Sequence, residues 1–167
     1  MKKEQKLTKI LLGIYLILLT WLILFKMQLP LNGWVPYRSI NLIPFGASVI
    51  VNGTVDFHEI LYNGLVFLPF GLYLGMLHPH WSWWKSLLVI AGVSLAYEML
   101  QYLLAMGASD ITDLIMNTAG GALGLLVFAV LLRTAGEKVL PVLNRIALVG
   151  TILVVAGISL ILALTTQ

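Results

Sequence analysis

Five apolar runs dominate the sequence, from about Leu7 to Leu29, Ile60 to Leu77, Trp84 to Met106, Ile111 to Leu132 and Ile146 to Leu164. Each is close to the roughly 20 residues that an α-helix needs to cross a bilayer. Inside a bilayer every backbone N–H and C=O must be satisfied without water, so an apolar run of this length is confined to a helix. The rest of the composition agrees. Of the 167 residues 60% are hydrophobic and only 10% charged, with a mean hydropathy of +0.98, where a soluble domain carries about 25% charged residues. The expected fold is all-α: a membrane protein made of a bundle of five transmembrane helices, a single domain over residues 1–167.

The chain opens with Met1-Lys2-Lys3-Glu4-Gln5-Lys6, which is similar to a signal-peptide n-region. No small-x-small cleavage site follows and the apolar part is longer than a usual h-region, so the first run is expected to remain as a helix. Lys9 and Lys26 fall where long side chains reach the two interfaces. With the N-terminus inside, Lys2, Lys3, Lys6, Lys9, Lys85, Arg133, Lys138 and Arg145 lie on the inner side, leaving Lys26 and Arg38 outside. Lys and Arg concentrate on cytoplasmic loops, so the N-terminus is expected inside and the C-terminus outside. Trp81, Trp83 and Trp84 then form an inner aromatic belt beside Lys85. The net charge of +3 is scattered, with no basic patch interleaved with aromatics, and nucleic acid is excluded as a partner. The absence of cysteine excludes disulfides, thiolate metal sites and cysteine nucleophiles.

One connection is long. Between Pro30 and about Phe57 the Asn32-Gly33 and Asn52-Gly53 pairs signal turns. The apolar middle from Ile40 to Val51, broken by Pro44 and Gly46, is too short to span. It is expected to be an interfacial or re-entrant segment on the outer face.

Polar residues inside the runs concentrate toward the same face. Of the seven acidic residues, Asp56, Glu59, Glu98, Asp110 and Asp113 map to the outer side. An ionisable group at a helix centre costs about 2.5–3.5 kcal/mol on insertion scales, which makes it a candidate functional residue. Ser94, Glu98 and Gln101 share one face of the third helix, and Asp113 and Asn117 share one face of the fourth. Asp110 reads equally as a helix cap and Asp113 as a first-turn acid stabilised by the helix dipole. Gly120, Gly121 and Gly124 continue the fourth helix as a small-residue groove, fit for close packing in the bundle or for a homo-oligomer. Asp56 and Glu59 have capping-box spacing at the start of the second helix. Asn63 needs a partner in hydrocarbon, and Pro69 is expected to kink that helix. Together Asn63, Glu98, Gln101, Asp113 and Asn117 predict a shared polar pocket at outer-leaflet depth. Arg38 and Asn41 would cover it, Arg38 as the outer arginine available to the carboxylates.

These residues carry a resemblance. Arg38 followed by Asn41-Leu42-Ile43-Pro44-Phe45, Asn63 leading into Phe67-Leu68-Pro69-Phe70-Gly71, then Ser94, Glu98 and Gln101, then Asp110-Ile111-Thr112-Asp113, Asn117, Gly120-Gly121 and Gly124 together resemble the VanZ-like family. The resemblance spans residues 38–124, with the flanking helices similar in position and character. Many family members carry an arginine about three residues before the first aspartate, where this chain has Gly107-Ala108-Ser109. The family implies a protein of the bacterial cytoplasmic membrane, associated with resistance to the lipoglycopeptide teicoplanin, and it supplies no agreed biochemical activity.

Three functions stay open on these residues. The first is binding or remodelling of a membrane lipid, a lipid-linked cell-wall precursor or a lipoglycopeptide. It would use an acidic pocket of Arg38, Asn41, Asn63, Glu98, Gln101, Asp110, Asp113 and Asn117 beside an apolar wall of Phe45, Phe67 and Phe70. The second is an enzyme acting on an outer-leaflet lipid, with Glu98 as general acid or base and Asp110 and Asp113 holding Mg²⁺ or Ca²⁺ through oxygen ligands. Against it, His78 and His80 map to the inner side with only His58 outside, and Ser94 has no His or Lys near it to activate it. The third is a structural or regulatory scaffold whose polar cluster locks the helices. A transporter is disfavoured because the chain has no inverted repeat.

Overall fold

A computed structural model describes residues 2–25, 36–45, 50–51, 54–55 and 57–165. The helices are α1 (Lys2–Phe25), α2 (Phe57–Leu77), α3 (Trp83–Leu103), α4 (Ile111–Ala135) and α5 (Val139–Thr165), with a short 3-10 turn, Gly136–Lys138, between the last two. Among the described residues four continuous helical stretches are long and apolar enough to cross a membrane; the fourth, Ile111–Leu164, is 54 residues long and includes both α4 and α5. At 1.5 Å per residue that stretch would extend about 80 Å, well beyond one bilayer. The chain breaks it at Gly136, whose φ of 58° suits a residue without a Cβ. Lys26, Asp56 and the Asn32-Gly33 and Asn52-Gly53 pairs lie outside the described residues, as do the Gly46 break and the side chain of Glu59.

Two short β-ribbons are present where an interfacial or re-entrant segment was expected. Strand β1 (Tyr37–Asn41) pairs in parallel with β4 (Met106–Asp110), with Arg38 opposite Gly107 and Asn41 opposite Asp110. Strands β2 (Ile50–Val51) and β3 (Thr54–Val55) form an antiparallel hairpin. α3 accordingly ends at Leu103, and Met106 belongs to β4 instead of the helix. Ala105 makes the switch by adopting φ 55°. Its N–H is donated to the carbonyl of Tyr102 and its own carbonyl accepts the N–H of Tyr37. One residue thus ends the helix and starts the ribbon.

α2 and α4 are packed backbone to backbone. A Cβ at Gly120 would overlap the carbonyl oxygen of Gly64, one at Gly71 that of Gly121, and one at Gly124 that of Leu68. The small-residue groove is therefore occupied within the bundle, and the glycines of α2 supply its other half. Around this pair lies a core of Leu19, Phe67, Phe70, Ile90, Tyr97 and Leu125, drawn from α1, α2, α3 and α4. The Phe67 ring meets Phe70 and Tyr97 edge-on at 6.0 and 6.4 Å, the arrangement that ring quadrupoles favour. A second cluster joins Leu11, Tyr73, Met76, Phe128 and Val139, and it brings the start of α5 beside the first half of α1.

At the α2–α3 loop, His78 stacks on Trp81 at 3.9 Å and the Lys85 ammonium lies 4.1 Å from the centre of the same ring. Ser82 caps α3 by accepting the N–H of Lys85. Trp83 and Trp84 are exposed, as interfacial anchors should be.

Candidate functional site

The polar residues of α3 turn inward. Ser94, Glu98 and Gln101 are all buried, and each finds a partner on a different element. Glu98 Oε2 accepts the backbone N–H of Asp110 at 2.8 Å. The Asn117 amide donates to the Ser94 hydroxyl at 3.0 Å. Gln101 Nε2 donates to the carbonyl of Ile23 near the end of α1 at 3.1 Å, while its Oε1 is buried and has no partner among the described residues. A buried amide or hydroxyl in apolar surroundings needs such a bond to offset its lost hydration.

Asp110 is the centre of the arrangement. It ends β4 and caps α4, its Oδ1 accepting the N–H of Thr112 at 2.8 Å. Across the ribbon the Asn41 amide donates to both of its oxygens, at 3.2 and 3.1 Å. Register explains the contact, since Asn41 and Asp110 are direct partners in the parallel ladder. Asn41 Oδ1 in turn accepts the N–H of Ile43 at 3.1 Å, an Asx-type turn that bends the chain after β1. The turn ends at Phe45, held at φ 55° with its N–H donated to Thr112 Oγ1 at 3.0 Å. A phenylalanine in this region of backbone space is uncommon and costs on the order of 1–2 kcal/mol, a cost met here by the surrounding hydrogen bonds.

Asp113, in the first turn of α4, accepts a hydrogen bond from the Asn63 amide of α2. Asp113 and Asn117 share a helix face in sequence, yet the structure gives them different neighbours: Asp113 reaches α2 and Asn117 reaches α3. The expected cluster is therefore a set of pairs at the neighbouring ends of α2, α3 and α4, beside the β1–β4 ribbon. Arg38 lies at its edge. Its guanidinium donates to the carbonyl of Leu103 at 3.0 Å and sits 5.9 Å from the Tyr102 ring. The hydrogen bond is made to the exposed end of α3, whose unsatisfied carbonyls attract a cation.

One expectation changes. Phe67 and Phe70 are buried in the core and do not form an apolar wall to the site; that role is left to Phe45, which is 50% exposed on the turn. Among the described residues no group of three or more His, Cys, Asp or Glu is placed to hold a metal ion, and Asp110 and Asp113, the expected oxygen ligands, each already accept a side-chain amide. Only one histidine, His58 in the first turn of α2, is near this end of the bundle, since His78 and His80 lie in the loop at the far end of α2.

Sequence reasoning missed Thr112, which is buried and holds the Phe45 turn; the signal was a hydroxyl two residues after a capping aspartate. It also missed a second polar station at the other end of the molecule. Asn144 of α5 is fully buried, accepts the Thr8 hydroxyl at 2.9 Å and donates to the Glu4 carbonyl and carboxylate at 3.1 and 2.8 Å. The fifth helix was expected to begin only at Ile146, two residues too late to include it.

Comparison with known proteins adds to this geometry. The model of one protein family, described as VanZ/LLP1, matches residues 12–133. The chain is also similar to Protein VanZ of Enterococcus faecium, 37% identical over 147 residues that cover 87% of this chain and 86% of that protein. No solved structure matches.

Proposed function

Since the chain belongs to the VanZ/LLP1 family, we propose that it is a multi-pass protein of the bacterial cytoplasmic membrane that lowers susceptibility to the lipoglycopeptide teicoplanin. In this reading it crosses five times with its N-terminus inside and C-terminus outside. It binds or remodels an amphipathic envelope molecule, a lipoglycopeptide or a lipid-linked cell-wall precursor, at the outer ends of α2, α3 and α4. Five crossings are supported by the break at Gly136 and by the course of α5, which starts beside the first half of α1.

The observation that supports this reading best is the buried pair formed by Glu98 and the Asp110 N–H, capped by Asn41 and the Phe45 turn. Acidic groups gathered under a strained, half-exposed turn suit a ligand with a cationic or hydrogen-bond-donating head and an apolar body, because buried charges at membrane depth are costly and are retained where they serve a function. Binding is favoured over turnover because the buried hydroxyls of the site, Ser94 and Thr112, meet the Asn117 amide and the Phe45 N–H and, among the described residues, no base, and catalysis by a hydroxyl nucleophile requires one.

The test is drug susceptibility of a Gram-positive host expressing wild type, Glu98→Gln and Asp113→Asn, with membrane levels checked. Teicoplanin is compared with vancomycin, which lacks the acyl chain. Protection by wild type against teicoplanin alone, lost in both variants at equal membrane levels, is the expected result. Protection that survives in the variants, or no protection at all, would remove the proposed site or the proposed function respectively.

A further inference from the structure

A cavity of about 470 Å³ lies between α1, α2 and α5, away from the polar site. Its α2 wall is the stripe carrying Val66, Pro69, Tyr73 and Met76, distinct from Gly64, Gly71 and Gly75, whose missing side chains admit α4. Among the described residues no charged residue lines it, and the Tyr15 hydroxyl on its wall is already donated to the Val66 carbonyl. The lining extends along α2 from Val66 to Met76 and along α5 from Leu143 to Val154, about 15 Å in each case at the helical rise. That is about half the hydrocarbon thickness of a bilayer, the depth of one leaflet.

The third wall is held in an unusual way. α5 is clasped to α1 at its start, where Asn144 meets Thr8 and Glu4, and beyond the cavity it exposes Leu160 and Leu164 by 61% and 66%. Ile146 and Val154, which line the cavity, are themselves exposed, so the space opens sideways along α5. At Gly150, in the middle of this wall, an added Cβ meets nothing within 4 Å. The surroundings at this depth are acyl chains, and a space of leaflet length lined mainly by apolar groups, with the hydroxyl-bearing Tyr15, Tyr73 and Thr151 as its polar members, suits an acyl chain better than a headgroup. The family match ends at residue 133, ahead of α5, so this wall lies outside the matched region.

We propose that the α1–α2–α5 cavity is a binding slot for a single acyl chain of a membrane phospholipid. The slot requires nothing of Glu98 or Asp113, so it goes beyond the outer polar site and stands or falls separately.

The experiment places the full chain in nanodiscs of phosphatidylglycerol doped with phosphatidylglycerol bearing a diazirine midway along one acyl chain. After irradiation, adducts are located by mass spectrometry. Saturable labelling concentrated on Tyr15–Leu22 and Leu143–Val154 is expected. Gly150→Val and Gly150→Leu fill the slot in proportion to side-chain size, and Gly150→Leu should cut slot labelling by about tenfold. Gly157→Leu, at an equally open position further along α5, should leave it unchanged. Labelling spread over all exposed faces in proportion to exposure, or undiminished in Gly150→Leu, overturns the proposal. So does a dimer in native mass spectra that Gly150→Leu disrupts, which would assign the slot to a second copy of the chain. Glu98→Gln should not alter slot labelling, whatever becomes of its effect on drug susceptibility.

Discussion

Glu98 and Asp110, on opposite sides of the α3–α4 connection, are joined by a 2.8 Å hydrogen bond from the Asp110 backbone N–H to the Glu98 carboxylate. Both are buried. The bond fixes the last residue of β4, and with it the ribbon and the first turn of α4. Removing the acceptor strands a buried N–H, which costs about 1–3 kcal/mol. Glu98→Ala is therefore expected to lower stability by that amount in detergent. Glu98→Gln keeps a carbonyl acceptor and should lose much less. Thermal unfolding of the three proteins side by side checks this, and equal losses for both variants would mean that the charge, not the hydrogen bond, supports the fold.

Glycine contacts between α2 and α4 lead to a second expectation. Gly71→Ala and Gly120→Ala each drive a methyl into a carbonyl of the facing helix, and overpacking of this kind costs about 1–3 kcal/mol or more. Gly92→Ala, on α3 with nothing within 4 Å of the added Cβ, should be neutral or slightly stabilising through helix propensity. Denaturation midpoints distinguish the two classes; a destabilised Gly92→Ala would contradict the packing described.

At the opposite end, Asn144→Ala removes the clasp between α5 and α1. Interhelical polar contacts of this kind contribute about 0.5–2 kcal/mol in membranes. Limited proteolysis should cut the α4–α5 turn near Glu137 faster in the variant, with α1 to α4 protected as in wild type. Unchanged proteolysis would show that apolar contacts alone hold α5.

Topology is directly accessible because the chain has no cysteine. Tyr37→Cys and Glu137→Cys, both at exposed positions, should react with a membrane-impermeant maleimide from the outer side and the inner side respectively. The reverse pattern would invert the orientation, and labelling of both from one side would remove the odd number of crossings between them.

Gly107 is the ladder partner of Arg38. An added Cβ there meets nothing within 4 Å. Gly107→Arg is expected to fold with a melting temperature close to wild type and to place a second guanidinium beside the first. A large fall in stability would mean that two cations on adjacent strands cannot be accommodated in this ribbon.

The helical character of the chain, the start of α4 and the inward face of α3 were all legible in the residues themselves. Asp110 directly precedes Ile111 at the start of α4, and Ser94, Glu98 and Gln101 recur at helical spacing. Local signals suffice there because a cap and an amphipathic stripe depend on neighbours within a few residues. The end of α3 was misplaced because Met106 is apolar and equally suited to a helix or a strand. What decided it was Ala105 in a left-handed conformation, which no composition rule assigns to alanine.

Apolar length and the distribution of lysine and arginine determined on their own that the chain is helical, and they pointed to membrane crossings with a stated orientation, since hydrocarbon leaves the backbone no other way to satisfy its hydrogen bonds. Only tertiary structure decided how the polar residues pair. Asn41 meets Asp110 across 69 positions of sequence, and Asp113 and Asn117, neighbours on one helix face, part to α2 and α3. Such choices depend on which helices lie side by side. That is settled here by how closely Gly71 and Gly120 let α2 approach α4, a property of two packed surfaces and not of either segment alone.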